Sequence, residues 1–507
     1  MSRGAKMKIV FITPAPVLRR IPVYRLGGRI YGRQNAITGP LILGGILKKA
    51  GHDVELYEEM YRTPNYRKLM KDTDVFCISV MTSNAPRGYE LADMIHRCSS
   101  ARVIMGGVHA TFLTHEVAAH ADQTITGEGE DTILDVVEGR ITDRIVYGQP
   151  HMDLDELPFP DYSILKTPCS AANVITTRGC HFRCTFCSTS RMFVPYRQRS
   201  VDNVIEEIRM YKEMGFKYIN IEDDNFIAEK ERAKEICRRM IDEGLIFKEI
   251  FFFGRTDIGN DDELLDLLEK AHFNRVLIGI ESLNQEALDS IHKGQDIHDI
   301  INAAEACKKH KIRLIASIVL GLDEDSDEDM KRATQFAKDI DAYEFQPAVL
   351  TPFPGTPVYD KLMQEDRMLP GSWSRFDMMN VTFQPKNLSP WDLQSRFYDA
   401  ACDFYDFRSI PDIVKLFGLN SGMRRLGLSL SSKLGAWGAR FTASHFSQTS
   451  YGQLLNAPWS FDKKNIPHEN IPDDIPARKE IRNKFRDRMR TDHMAIKKRH
   501  AELKRAQ

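Results

Sequence analysis

Two series of short apolar runs, each run separated from the next by a helical pattern, predict an α/β fold for this chain of 507 residues. A proline-rich interval between the series predicts separate domains. A third observation is local. Three cysteines, in Cys180-His181-Phe182-Arg183-Cys184-Thr185-Phe186-Cys187, follow the first strand candidate of the second series.

The first series occupies residues 1–149. Lys8–Ile12 is an apolar run of strand length, Gly39–Ala50 has helical spacing and stops at Gly51, and Asp53–Tyr57, Val75–Val80 and Arg102–Met105 are further strand candidates. Strands that alternate with helices pair in parallel and carry helices on both faces, so this part is expected to be a doubly wound, Rossmann-like sheet. Ligands of such sheets bind beyond the carboxyl ends of the strands. Pro150, Pro158, Pro160 and Pro168 stand among acidic residues and make 150–170 read as a linker.

The second series gives six strand candidates: Asn173–Thr177, Lys217–Ile221, Glu249–Gly254, Arg275–Ile280, Ile312–Leu320 and Tyr343–Leu350. Six β/α units make a partial (β/α)6 TIM-type barrel over 171–360. The cysteine loop then lies on the carboxyl-end rim, where barrel enzymes place their chemistry. Residues 361–460 are expected to form a mainly helical, aromatic-rich C-terminal region. Residues 461–507 read as a basic tail, with twelve Lys/Arg against four Asp/Glu over 478–505.

Composition narrows the class. A hydrophobic fraction of 42% supplies a large core, and a net charge of −1 argues against a nucleic-acid partner. Nine cysteines, scattered outside the triplet, suit a reducing cytoplasm and buried thiols better than a disulfide framework. Met7–Thr13 has no signal-peptide core, and no stretch reaches the roughly 18 apolar residues of a membrane span.

The CxxxCxxC spacing carries the chemistry. Three thiolates on one short loop can hold three irons of a [4Fe–4S] cube and leave the fourth open. A structural zinc site wants four closed ligands, often from two separated pairs, and no second pair follows. Other polar residues recur at strand ends: Asp223 and Asp224 after the second strand of the barrel series, Arg255 after the third, Glu281 after the fourth, Gly321 after the fifth. In the N-terminal part, Pro40, Thr82-Ser83, Gly106-Gly107-Val108-His109 and Gly127-Glu128-Gly129 stand at helix starts and strand ends. There glycines let backbone approach a bulky ligand.

These motifs together resemble the cobalamin-dependent radical S-adenosylmethionine enzymes, over about residues 7–360. The class includes methylases of hopanoids and bacteriochlorophyll side chains and the anaerobic magnesium-protoporphyrin ester cyclase. Three cofactors are implied: a [4Fe-4S] cluster on Cys180, Cys184 and Cys187, S-adenosylmethionine, and cobalamin. Phe186, Asp223, Asp224, Arg255, Glu281 and Gly321 are implied to contact S-adenosylmethionine. Pro40, Thr82, Ser83, Gly106, Gly107, His109, Gly127, Glu128 and Gly129 are implied to contact cobalamin. The resemblance also implies an electron donor such as flavodoxin or ferredoxin, anaerobic working conditions and a small-molecule substrate; the aromatic residues of 351–460 either line a large apolar pocket, which would suit a lipid or tetrapyrrole, or form a packed core.

One departure sharpens the expectation. The cobalamin mutases and methionine synthase ligate cobalt through Asp-x-His-x-x-Gly, and this chain has no such run. His52 and His109 read as structural. That favours methylation of an unactivated carbon, with radical oxidative cyclisation or rearrangement as the alternative. A tRNA methylthiotransferase would need more N-terminal cysteines than Cys77 and Cys98, and a cobalamin or redox sensor would need no rim carboxylates or arginine. Finally, Leu426, Leu430, Leu434, Trp437 and Phe441 fall on one face of a helix flanked by basic residues. This is a helix docked on the core or a peripheral membrane contact.

Overall fold

The computed structural model describes residues 6–16, 35–369 and 371–407, with scattered positions between 410 and 433. Two compact units are present. One is built from the described parts of Met1–His181 and Ser188–Phe216, the other from Phe182–Cys187 and the described parts of Lys217–Ile466.

The first unit holds a six-stranded parallel sheet. Its strands are β1 (Lys8–Thr13), β2 (Asp53–Glu58), β3 (Val75–Ser79), β4 (Arg102–Gly106), β5 (Gln123–Thr126) and β6 (Ile145–Tyr147). The spatial order is β2-β1-β3-β4-β5-β6. Strands β1, β3 and β4 are buried on both faces, so each reads as a continuous apolar run rather than an alternating one. Val10, Ile12, Phe76, Ile78, Val103 and Met105 pack against Leu91 and Ile95 of the helix Ala85–Cys98. The chain passes from β1 outward to β2 and then back across β1 to β3. That reversal leaves a crevice at the carboxyl ends of the strands.

The expected helix over 39–50 is Thr38–Lys49, with Lys48 and Lys49 in its last turn and Gly51 just beyond at φ 104°. The lysines face the negative end of the helix dipole, and only glycine adopts that φ without strain.

The proline-rich stretch is packed rather than loose. Leu154, Tyr162 and Ile164 are buried, Leu165 bridges to Leu56, and Lys48 pairs with Asp161 at 3.0 Å. The backbone N–H of Asn173 donates to the Tyr162 hydroxyl at 2.7 Å. The strand expected over 173–177 is split. Ala171–Val174 forms β7, and Thr177–Arg178 forms β8, which pairs antiparallel with β9 (Arg197–Gln198). Arg199 causes the break by taking the carbonyl of Ile175, while its backbone N–H donates to Thr176.

In the second unit β10 (Tyr218–Ile221), β11 (Glu249–Gly254), β12 (Arg275–Glu281), β13 (Arg313–Leu320) and β14 (Glu344–Val349) pair in parallel in chain order. Helices Lys230–Asp242, Asp262–Lys270, Ile297–Lys309 and Asp327–Asp339 connect them. Capping boxes at Asp296/Asp299 and Ser326/Asp329 start the last two by satisfying orphan backbone donors. The edge of β14 is covered: Tyr405 accepts from the Phe345 N–H at 3.1 Å and donates to its carbonyl at 2.8 Å. Trp373, Phe376, Phe397 and Phe404 are buried, so these aromatic residues belong to the core. Of the amphipathic run only Leu426 and Leu430 are described. Leu434, Trp437, Phe441 and the basic tail lie outside the described residues. Among the described residues no helix is long and apolar enough to cross a membrane.

One buried charge pair gives a stability test. Glu207 is fully buried, accepts from Arg199, and accepts from the Tyr211 hydroxyl at 2.6 Å. Replacing Arg199 by Met strands that carboxylate and is expected to cost about 3–5 kcal/mol in urea unfolding. Adding Glu207→Gln should recover part of the loss. A single variant as stable as the parent would contradict this pairing.

Candidate functional site

The crevice of the first unit opens into a cleft of about 870 Å3, part of it open solvent. Pro40 of the helix Thr38–Lys49, Ser79 of β3, Gly106 and Gly107 after β4, and Gly127, Glu128 and Gly129 after β5 all line it. Backbone conformation requires two of these glycines. At Gly107, φ is 101° and a Cβ would lie 2.7 Å from the Val80 carbonyl oxygen; Gly127 has φ 75°. Most of the other lining is apolar, with Phe11, Ile42, Leu43, Ile104, Met105 and Ile133, and Glu130 and Arg178 add charge at one side. A wide apolar cleft floored by bare backbone suits a large, flat ligand.

Other expected cleft residues lie elsewhere. Thr82 is buried, Ser83 is half-buried, and neither lines the cleft. His109 is buried with both ring nitrogens engaged: Nδ1 lies 3.3 Å from the Thr82 hydroxyl and Nε2 lies 3.0 Å from the Tyr89 hydroxyl. His52 is also buried, beside Glu138, and burial pushes its pKa down.

Glu128 meets two arginines that the sequence reading did not single out. Arg178 donates to Glu128 and to Glu130, both at 2.6 Å, and Arg197 donates to Glu128 at 2.5 and 3.0 Å. Burial raises the Glu128 pKa, but the hydrogen bonds and charges of the two arginines outweigh it and hold the carboxyl below its usual range. Arg178 had one local signal, its place directly before Gly179-Cys180.

The cysteine loop opens at Gly179, whose φ of 92° and close approach to the Phe193 carbonyl exclude a side chain. Cys180 and Cys187 are half-buried and Cys184 is buried; none of the three is in a disulfide. Within the second unit, the Cys184 thiol points at the His292 carbonyl at 3.8 Å, and the Thr185 N–H donates to the Ile291 carbonyl at 3.1 Å. Burial pushes the Cys184 thiol pKa up, while the Lys293 and Arg255 cations pull against it. Among the described residues no three His, Cys, Asp or Glu side chains converge on a point that would hold a single metal ion. A cube does not need that, because each thiolate binds its own iron.

Around Cys184 the second unit gathers charged side chains from successive strand ends. The Arg255 guanidinium donates to the Lys293 carbonyl and lies 3.6 Å from the Phe182 ring centroid. Lys293 donates to Glu281 at 2.6 Å, and Glu281 takes φ 65°, an uncommon conformation for a non-glycine residue. Gln295 donates to the carbonyls of Gly279 and Ile280 at 3.0 and 3.1 Å and accepts from Thr256. Asp223 is buried and Asp224 half-buried, and next to them the buried Asn225 has a side-chain oxygen without a hydrogen-bond partner. Phe186 packs on the core of this unit, and Gly321 (φ 92°) lies against Leu393. Lys293 and Gln295 were not expected. They sit far along the chain from the strand ends they brace, in a turn marked only by Gly294.

Residues 174–337 match the family described as Radical SAM superfamily, and residues 38–137 match the B12 binding domain. The chain is similar to the bacteriochlorophyllide d C-12(1)-methyltransferase of Chlorobaculum tepidum, with 27% identity over 66% of this chain and 75% of that protein. It is similar to the anaerobic magnesium-protoporphyrin IX monomethyl ester cyclase of Cereibacter sphaeroides, with 26% identity over 89% of this chain and 82% of that one. Its fold matches the radical S-adenosylmethionine methyltransferase TsrM of Kitasatospora setae, solved with cobalamin and a [4Fe-4S] cluster, at a TM-score of 0.62. That match has 14% identity and covers 85% of this chain and all of the other.

The chain is a cobalamin-dependent radical S-adenosylmethionine enzyme.

The residues of this radical enzyme fit its three groups. The cleft is lined by Gly106, Gly107, Gly127 and Gly129, which present no side chain to it, so a corrin could approach their backbone. Three cysteines on one loop, none in a disulfide, are a donor set that suits a cluster with an open iron. The orphaned Asn225 oxygen and the Glu281 and Arg255 side chains offer an acceptor, a carboxylate and a guanidinium to the sulfonium ligand's amino, hydroxyl and carboxylate groups.

Two outcomes follow. Glu281→Gln is expected to weaken S-adenosylmethionine binding about tenfold or more, the worth of a charge-assisted hydrogen bond. Calorimetry on anaerobically reconstituted protein checks this, with iron content unchanged. The second concerns Asp325, which burial pushes up to about 7, with Asp329 and Glu324 adding to it and the Ser282 hydrogen bond opposing. Because the folded value exceeds the unfolded one, its stabilising contribution is complete below pH ~4 and is lost as pH rises through about 7. Asp325→Asn should therefore flatten the fall in urea midpoint between pH 5 and 8; an unchanged slope would refute the assignment.

Proposed function

We propose that this enzyme methylates an unactivated carbon of a small molecule, using a cluster on Cys180, Cys184 and Cys187 and cobalamin in the glycine-floored cleft. The observation that carries the reading is the state of the histidines. Neither His109 nor His52 lines the cleft, and both ring nitrogens of His109 are already hydrogen-bonded. A cobalt whose lower face is not held by a motif histidine sets this chain apart from the mutases and from methionine synthase alike. The similarity to a bacteriochlorophyllide methyltransferase supports the same reading and makes a tetrapyrrole the first substrate class to try, ahead of lipids.

When bound, the cluster with S-adenosylmethionine supplies a carbon-centred radical, and cobalamin supplies a methyl group. The chain's own part is placement and exclusion of water. Glu281, held by Lys293, would accept the ribose hydroxyls. Arg255, fixed by its stack on Phe182, would pair with the ligand carboxylate. Asp223 and Asp224 would receive its amino group, and Phe186 and Gly321 would border it. Gly106, Gly107, Gly127 and Gly129 would let the corrin lie against backbone, with Pro40 bordering it. A one-electron donor such as flavodoxin or ferredoxin would reduce the cluster.

Radical oxidative cyclisation is the second reading, favoured by the similarity to the ester cyclase over most of the chain. Stoichiometry separates the two in an anaerobic assay with S-adenosylmethionine deuterated at its methyl group. Methylation yields S-adenosylhomocysteine along with 5′-deoxyadenosine and moves label into product. Formation of 5′-deoxyadenosine with no labelled product would reject methyl transfer and leave cyclisation.

A further inference from the structure

Glu128 was expected to touch cobalamin directly, yet both of its carboxylate oxygens already bond protein partners. Arg178 and Arg197 stand opposite each other across the β8–β9 ribbon. Together they make three hydrogen bonds to the two Glu128 oxygens, and the His151 N–H adds a fourth at 3.3 Å. Arg197 also donates to the His151 carbonyl, and Arg178 to Glu130. All four side chains are at least nine-tenths buried.

The position of this clasp is informative. Glu128 lies between Gly127 and Gly129, and all three line the cleft. The loop has no room to shift toward β6, because a Cβ on Gly148 would lie within bonding distance of the Glu128 carbonyl. On the other side, the ribbon is the base of the loop that carries the three cysteines. The returning arm of that loop, Met192 and Phe193, also lines the cleft, and Phe193 lies under the Arg178 guanidinium at 5.8 Å from its ring centroid. The ribbon therefore joins the cleft wall to both ends of the cysteine loop.

We infer that the Glu128–Arg178–Arg197 clasp is a coupling device through which filling of the corrin cleft and ordering of the cysteine loop favour each other. Glu128 is a positioning residue in this scheme. The inference rests on the cofactor placement above. Its thermodynamic content is reciprocal: each group raises the affinity for the other by the same factor.

The test titrates hydroxocobalamin anaerobically into full-length protein with and without a reconstituted cluster, following the corrin absorption. Wild-type protein should bind at least about fivefold more tightly when the cluster is present, the low end of common coupling factors. The double variant Glu128→Gln/Arg197→Gln removes one charge of each sign and leaves Arg178 paired with Glu130. It should retain the cluster-free affinity within about threefold while the cluster-dependent gain collapses to a factor near one. Arg197→Lys keeps the charge but loses the forked contact, and it should show a reduced gain if the double variant does not fold. Equal affinities for the two wild-type forms would overturn the coupling alone. So would a full gain in both variants. An equal loss of affinity in both forms of the double variant would make Glu128 a direct ligand contact. Wild-type protein that binds no hydroxocobalamin would overturn the cofactor placement and the coupling with it.

Discussion

A parallel strand can be followed by another only after a crossover, so every strand of a parallel sheet hands its chain to a loop at the same edge. That constraint organises both units. Gly106 and Gly107 follow β4, Gly127 to Gly129 follow β5, Arg255 follows β11, and Glu281 ends β12. The strands carry almost none of the chemistry. Their apolar residues hold the sheet rigid, and the sheet fixes where its exit loops stand.

The loops are then pinned by buried charges that balance locally. Glu128 faces two arginines, Glu281 faces Lys293, and Glu207 faces Arg199. A buried ion pair gives little net stability, because desolvation of two charges costs about as much as their attraction returns. Removing one partner alone costs far more. Such pairs therefore serve placement better than stability. Two of the three stand beside residues assigned here to cofactors, and the third clamps the turn between β7 and β8.

Much of this was legible along the chain because it is local. The strand and helix patterns, the glycines that need positive φ at Gly107 and Gly127, and the cysteine spacing all depend on neighbours a few residues away. What was hidden is non-local. Glu128 is fifty residues from Arg178 and sixty-nine from Arg197, so only the fold shows that its carboxylate is occupied. Lys293 looks like any surface lysine until the turn at Gly294 folds it against Glu281. The prolines at 150–170 read as a linker because proline breaks patterns, yet Tyr162 and Ile164 are large apolar groups that find burial. The strand pattern over 173–177 is interrupted because Arg199, more than twenty residues on, claims the carbonyl of Ile175.

A cluster with an open iron on the cysteine loop, in the same chain as a corrin, is what the proposed chemistry requires. Anaerobic reconstitution followed by metal, sulfide and corrin analysis, with EPR of the dithionite-reduced protein before and after adding S-adenosylmethionine, tests it most directly. The expected result is about four irons per chain, bound corrin, and a cluster signal that changes when S-adenosylmethionine is added. Protein that stays colourless, takes up zinc in place of iron, or shows the same cluster signal with and without S-adenosylmethionine would contradict it.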